Sequence, residues 1–259
     1  MGKRIIVKIG TNAIMKNGRL DKSLIADFAK DIMEFKKKGF EFAIVTSGSI
    51  GLGLEKLGLD NNGLKLEEQQ ACAAIGQSIL MKNYEREFSK YNQTIAQLLL
   101  TQENFSNKEQ LQNLKSTLEK LFSLNVLPII NENDSVSTRE LKVKKEFSDN
   151  DSLSALVASH CKASMLVLAT DVEGIFLENP KANKDAKFVK EVKNIEDLKG
   201  INAGGASARG RGGFLTKVSA AKKVALEGID CIICKGRKGI IREITCGKNP
   251  GTIIHGVKK

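Results

Sequence analysis

The sequence predicts an α/β fold around a mainly parallel β-sheet. Three observations carry that expectation. β-rich runs alternate with helical stretches along the chain. A strand, helix, strand unit is complete by Ser47. Polar, glycine-bearing clusters then follow successive strands, which is where open α/β sheets take their ligands.

The elements follow in order. Lys3 to Gly10 reads as the first strand. Leu24, Ile25, Phe28, Ile32 and Phe35 recur at helical spacing between Asp21 and Gly39, and Phe40 to Ser47 returns as a strand. Helices are expected over Leu66 to Tyr91 and Lys108 to Leu124, with strands over Thr94 to Leu99 and Val126 to Asn131. From Ser135 to Phe147 polar and apolar residues alternate, with Val136, Leu141 and Val143 apolar, which predicts a hairpin acting as a lid. A helix from Asp151 to Cys161 and the apolar strand Met165 to Thr170 restore the rhythm. A polar stretch runs on to Ser207, followed by the glycine loop Gly210-Arg211-Gly212-Gly213, a helix and the strand Gly228 to Lys235. No Pro/Ser-rich linker or repeat divides the chain, so residues 1–259 are expected to form a single domain.

Composition narrows the function classes. Hydrophobic residues at 41% and charged residues at 27% are ordinary globular usage, which argues against disorder and fibrous structure. No apolar run reaches the roughly 18 residues of a membrane span, and the start reads as a strand and not a signal peptide, so a cytoplasmic protein is expected. The net charge of +11 is spread along the chain, with no Trp and two Tyr available for base stacking, so no nucleic-acid partner is expected. A basic surface around a site for phosphates and a carboxylate explains it better. The five scattered cysteines are expected to be free thiols. Cys231 and Cys234, at an odd offset in a strand, should face opposite sides of the sheet. His160 and His255 lie outside every cluster.

Chemistry concentrates at element ends. Neither a Gly-x-x-x-x-Gly-Lys-Ser/Thr loop nor a Gly-x-Gly-x-x-Gly turn is present. The first strand ends instead in Lys8-Ile9-Gly10-Thr11-Asn12, a lysine beside a glycine that lets backbone approach an anion. The second ends in Thr46-Ser47-Gly48-Ser49, a cap or an anion site. Asn131-Glu132-Asn133-Asp134, Asp149-Asn150-Asp151 and Thr170-Asp171 follow, each compatible with plain turn chemistry. Gly212, Gly213, Phe214, Leu215, Thr216 and Lys217 close the series, with glycines that would bring N–H groups onto phosphate oxygens. Jointly they offer carboxylates, amides, hydroxyls and lysines, the groups needed to grip an amino acid.

In this order the motifs resemble the amino acid kinase family, and within it the gamma-glutamyl kinase branch. The resemblance implies a three-layer αβα sandwich, with ATP and Mg²⁺ as cofactors and L-glutamate as phosphoryl acceptor. It implies that Lys8 touches the transferring phosphoryl group, that Ser47, Gly48, Asp134 and Asn150 bind the amino acid, and that Asp151 orients Lys8 and Lys217. Thr170, Asp171 and the segment Arg211, Gly212, Gly213, Phe214, Leu215, Thr216 and Lys217 would hold ATP; metal ligands stay unassigned. Phe214 stands where relatives usually have methionine and Arg211 where threonine is common. Many relatives carry a C-terminal PUA domain, which is expected to be missing here. A homo-oligomer, dimer or tetramer, is also implied.

A carboxylate is already nucleophilic at neutral pH, so such a reaction needs alignment and charge relief and no general base. That suits two lysines and no catalytic histidine. Rival readings are another acceptor within the family, namely aspartate, acetylglutamate or UMP, and an amino-acid sensor without turnover.

Overall fold

A computed structural model of the chain describes residues 3–60, 63–136, 150–178, 183, 185–200 and 208–258, with backbone alone at 199, 200 and 208–212. The sheet is organised around β1 (Arg4–Ile9), whose side chains alternate between two apolar faces. Ile5, Val7 and Ile9 point to one face and Ile6 to the other. β1 pairs in parallel with β4 (Glu41–Val45) on one side and β7 (Met165–Thr170) on the other. Beyond β4 lie β6 (Leu127–Glu132) and β5 (Ile95–Leu100); beyond β7 lie β11 (Asp230–Lys235), β12 (Thr252–Ile254) and β10 (Glu191–Val192). Six of the seven pairings among these strands are parallel, and β11 with β12 is the antiparallel exception. Because the chain leaves β1 toward β4 and returns at β7, the topology switches direction beside β1, which leaves a crevice at the strand ends there.

Helices cover both faces, giving the expected three layers. α2 (Lys22–Lys36), α3 (Ser49–Leu57), α4 (Leu66–Ser89) and α9 (Ile240–Thr245) pack Phe28, Ile32, Leu52, Leu80, Tyr84 and Ile241 against one face. α6 (Lys108–Ser123), α7 (Asn150–His160) and α8 (Ala208–Leu226) pack Leu114, Leu118, Val157, Ala221 and Val224 against the other. Cys231 belongs to the second face and Cys234 to the first, as their odd spacing requires. Among the described residues no helix is long and apolar enough to cross a membrane.

The long elements lie within a residue or two of where the sequence puts them. Several short ones were missed. α1 (Thr11–Ile14) follows β1 directly, and β2 (Met15–Lys16) pairs with β3 (Arg19–Leu20) across Asn17-Gly18. Both turn residues have positive φ, 50° and 75°, as a two-residue Asn-Gly hairpin turn requires. β8 (Ile175–Phe176), β9 (Phe188–Val189) and β10 interrupt the stretch read as polar. The expected glycine loop is also corrected: Gly210, Arg211, Gly212 and Gly213 already lie within α8. The run Phe214 to Leu226 is rich in Ala, Leu and Lys, and a helix nucleated there propagates back through glycines that each cost only about 1 kcal/mol. The expected hairpin over Ser135 to Phe147 lies, from 137 onward, outside the described residues, as does Asp149.

Two glycines set the spacing of α3 and α4. A Cβ at Gly76 would sit 1.7 Å from the Ser49 carbonyl oxygen, and one at Gly53 would sit 2.0 Å from that of Cys72. Only hydrogen fits at either place, so the two helix backbones touch directly.

α2 is held at its start by Asp21, whose carboxylate accepts the backbone N–H groups of Ser23 and Leu24 and pairs with Lys16 at 2.5 Å. Burial alone would raise its pKa; the Lys16, Ser23 and Leu24 donors outweigh that and lower it from 3.8 to about 2. Asp21→Ala should cost about 1 kcal/mol in urea unfolding near neutral pH. Because the folded pKa is depressed, the contribution is complete above the unfolded value and is lost as pH falls toward about 2. A deficit unchanged over that acid range would exclude the capping carboxylate as its source.

Candidate active site

The site is built at the carboxyl ends of β1, β4, β6 and β7 and the starts of the helices that follow them. Lys8 is two residues past Ile6 and so faces the α7 and α8 layer. Asp151 lies in the first turn of α7, where the helix dipole favours a carboxylate. The Lys8 Nζ stands 2.6 Å from Asp151 Oδ1, and the Lys217 Nζ stands 3.2 Å from Oδ2. Thr216 donates its hydroxyl to the same Oδ2 at 3.1 Å. The Asp151 side chain is 2% exposed, that of Lys8 8% and that of Lys217 14%. Burial pushes the Asp151 carboxyl up, but the two ammonium groups outweigh it and hold the group below the ordinary carboxylate range.

β7 delivers a second carboxylate. Thr170 Oγ1 donates to Asp171 Oδ1 at 2.9 Å, and Asn12 Nδ2 donates to Oδ2 at 3.3 Å. Burial raises the Asp171 pKa, and these donors together with the field of Lys217 bring it below the usual value. Gly10 N–H donates to the Ala169 carbonyl at 2.9 Å and Gly236 N–H to that of Thr170 at 2.7 Å, so the strand ends are laced together. α8 adds Lys217 to the wall from above. Its Nζ also donates to the Gly213 carbonyl one turn earlier, at 2.9 Å.

The third group sits after β4 and β6. Ser47 donates its hydroxyl to the Ile9 carbonyl at 2.7 Å, tying this loop to the end of β1 beside Lys8. Gly48 takes φ 98° and caps α3 through backbone alone, so neither Ser47 nor Ser49 is spent as a helix cap. Ser49 instead donates to Asp134 Oδ2 at 3.1 Å. A cavity of about 300 Å³ opens here, walled by Ser49, Gln77, Asn133, Asp134 and Ser135. Asn150, one residue before Asp151, keeps a buried Oδ1 with no donor among the described residues.

The structure therefore brings Lys8, Asp151, Thr216 and Lys217 into one contact group and Thr170 and Asp171 into a second, while Ser47 is tied to the end of β1, Gly48 starts α3, and Asp134 meets Ser49. Phe214 packs its ring toward the core, while Leu215 is exposed. The side chain of Arg211 lies outside the described residues, and Gly212 is described by its backbone within α8. Two participants were missed from sequence: Asn12, which bonds Asp171, and Gln77, which bonds Asn131. Asn12 stood in the quoted strand-end motif, whereas Gln77 sits mid-helix with nothing around it to single it out.

Such strand ends, with two cations on a shared carboxylate at a topological switch, define an α/β protein that holds small anions. The chain belongs to the amino acid kinase family, whose model matches residues 3–235. It is 40% identical over 258 residues to a glutamate 5-kinase of Caldanaerobacter subterraneus subsp. tengcongensis, covering 98% of this chain and 68% of that one. It is 39% identical to a glutamate 5-kinase of Enterococcus faecalis over 97% of this chain and 94% of that one. The fold is shared with a carbamate kinase from Giardia lamblia bound to AMP-PNP, at a TM-score of 0.68, 16% identity and 98% coverage of both chains.

The Lys8–Asp151 pair makes a direct prediction about stability. Asp151→Asn leaves the Lys8 ammonium buried without its counter-charge and should cost about 3 kcal/mol in urea unfolding. Adding Lys8→Met should restore part of that loss, since the two side chains are in contact and their effects do not add. Strict additivity would show that the pair is not coupled.

Proposed function

We propose that this chain transfers the γ-phosphoryl group of ATP to the side-chain carboxylate of L-glutamate, forming γ-glutamyl phosphate and ADP, the first step of proline biosynthesis. The observation that carries the reading is the pair of lysines on one buried carboxylate. Two ammonium groups share the Asp151 carboxylate, so each keeps N–H donors to offer an incoming anion. The names of relatives at about 40% identity supply the acceptor. A cytoplasmic, homo-oligomeric enzyme belongs to the same reading.

In the reaction an oxygen of the substrate carboxylate forms a bond to the γ-phosphorus, and the bond from that phosphorus to the bridging oxygen breaks as ADP leaves. Both reactants are anionic, so their approach must be offset by positive charge held in place beforehand. Lys8 reaches the transferring group from the strand side and Lys217 from the helix side. Asp151 fixes the direction of both ammonium groups and takes no proton. Thr170, Asp171 and the Gly213 to Lys217 turn of α8 hold the nucleotide; Asp134 and the Asn150 amide oxygen suit the ammonium of the amino acid. Among the described residues no group of three or more His, Cys, Asp or Glu could hold a metal ion, so Mg²⁺ would arrive on the nucleotide phosphates.

The test is hydroxamate formation from the trapped acyl phosphate, with glutamate, aspartate, acetylglutamate and UMP in parallel. Hydroxamate with glutamate alone is expected; turnover of another acceptor would replace the substrate, and no turnover at all would favour a sensor. Lys8→Ala and Lys217→Ala should each lower turnover about 10²-fold or more. Near-normal turnover in either would remove that lysine from the phosphoryl site.

A further inference from the structure

Gln77 carries a buried donor with no acceptor among the described residues. The residue lies in α4, is 8% exposed, and forms part of the wall of the cavity shared with Ser49 and Asp134. Its Oε1 accepts from Asn131 Nδ2 at 2.9 Å. The identity of the two amide atoms is fixed by the chain itself. Asn131 Oδ1 accepts the backbone N–H of Glu132 at 2.9 Å, so Asn131 must offer its Nδ2 to Gln77, and Gln77 must answer with oxygen. That leaves the Nε2 amide of Gln77, buried and with no acceptor among the described residues. An unpaired donor in such a place is costly, and an occupant of the cavity that supplies an acceptor repays the cost.

The placement is not accidental to the packing. Gly76 lets α4 press against the carbonyl of Ser49, so the residue that follows it is brought to the start of α3, where Ser49 meets Asp134. Lys8, Asp151 and Lys217 do not line this cavity. A carboxylate that receives a phosphoryl group must reach those lysines, so the group left near Gln77 is the other end of the amino acid. Asp134 is matched to an ammonium and repels a carboxylate, whereas a neutral amide donor accepts one without adding charge.

Resting on the kinase reading above, we propose that Gln77 Nε2 donates to the α-carboxylate of the acceptor amino acid. Gln77 thereby selects acceptors with a second carboxylate and positions the first for transfer.

Two variants separate this role from a merely structural one. Gln77→Glu keeps an oxygen for Asn131 and replaces the donor with a second oxygen; at mildly alkaline pH that group is ionised. Gln77→Met fills similar volume and loses both bonds. Both should raise KM for glutamate about tenfold or more while KM for ATP stays unchanged. If Gln77→Glu behaves as the parent and only Gln77→Met loses affinity, Gln77 simply braces Asn131 and the proposal falls. It falls equally if KM for glutamate is unmoved in both, or if kcat drops with KM intact. Stabilisation of the parent and Gln77→Glu by glutamate in thermal unfolding reads binding without turnover. A parent that glutamate stabilises but that forms no product overturns the reaction, while loss of that stabilisation in Gln77→Glu still supports the donor and its persistence refutes it. A parent that glutamate neither stabilises nor engages in turnover overturns both.

Discussion

The carboxylate of Asp151 is the constraint on which the arrangement depends. A lysine on the central strand of a parallel sheet is an expensive residue, because its ammonium must leave water for a wall of apolar side chains. Asp151 makes that position tolerable for Lys8 and reaches Lys217 on a different helix with its other oxygen. One buried negative charge therefore joins the sheet to α7 and α8. The same geometry that satisfies the interior turns two ammonium groups toward the crevice.

Around that centre the fold sorts its polar groups by strand. The end of β7 carries Asp171 with its donors Thr170 and Asn12, and the ends of β4 and β6 carry Ser47, Ser49 and Asp134. β1 lies between the two sets, so Lys8 stands where they meet. This division is what a switch in strand order offers: two differently lined halves on either side of one strand.

Much of this was legible in residues because strand ends advertise themselves. Lys8-Ile9-Gly10, Thr46-Ser47-Gly48, Asn131 to Asp134 and Thr170-Asp171 each interrupt an apolar run with groups that a buried strand would not tolerate. Asp151 and Lys217 were found the same way, at a helix start and after a glycine cluster. The face pattern of β1 could also be derived, since side chains alternate. What could not be read were relations between distant backbones. Gly76 and Gln77 sit inside a long helix whose pattern says only that it is amphipathic, and their meaning comes from the contact with Ser49. The glycine segment before Phe214 reads as a loop on propensity, but its neighbours carry it into α8. β12 has three residues, too few for any periodicity to show, and it is specified by its pairing with β11 and β10.

The distribution of sulfur has a practical consequence. Cys72, Cys161, Cys231 and Cys234 are buried, and Cys246, at the end of α9, is exposed. Burial pushes the Cys161 and Cys234 thiols up to about 12, so at neutral pH they hold almost none of the thiolate that alkylating reagents attack. Folding thus leaves the protein with one chemically addressable sulfur, on the helix layer opposite α7 and α8. A fluorophore or spin label can be attached there without engineering out the other four, and a domain-wide change in order on ligand binding can be followed from outside the crevice.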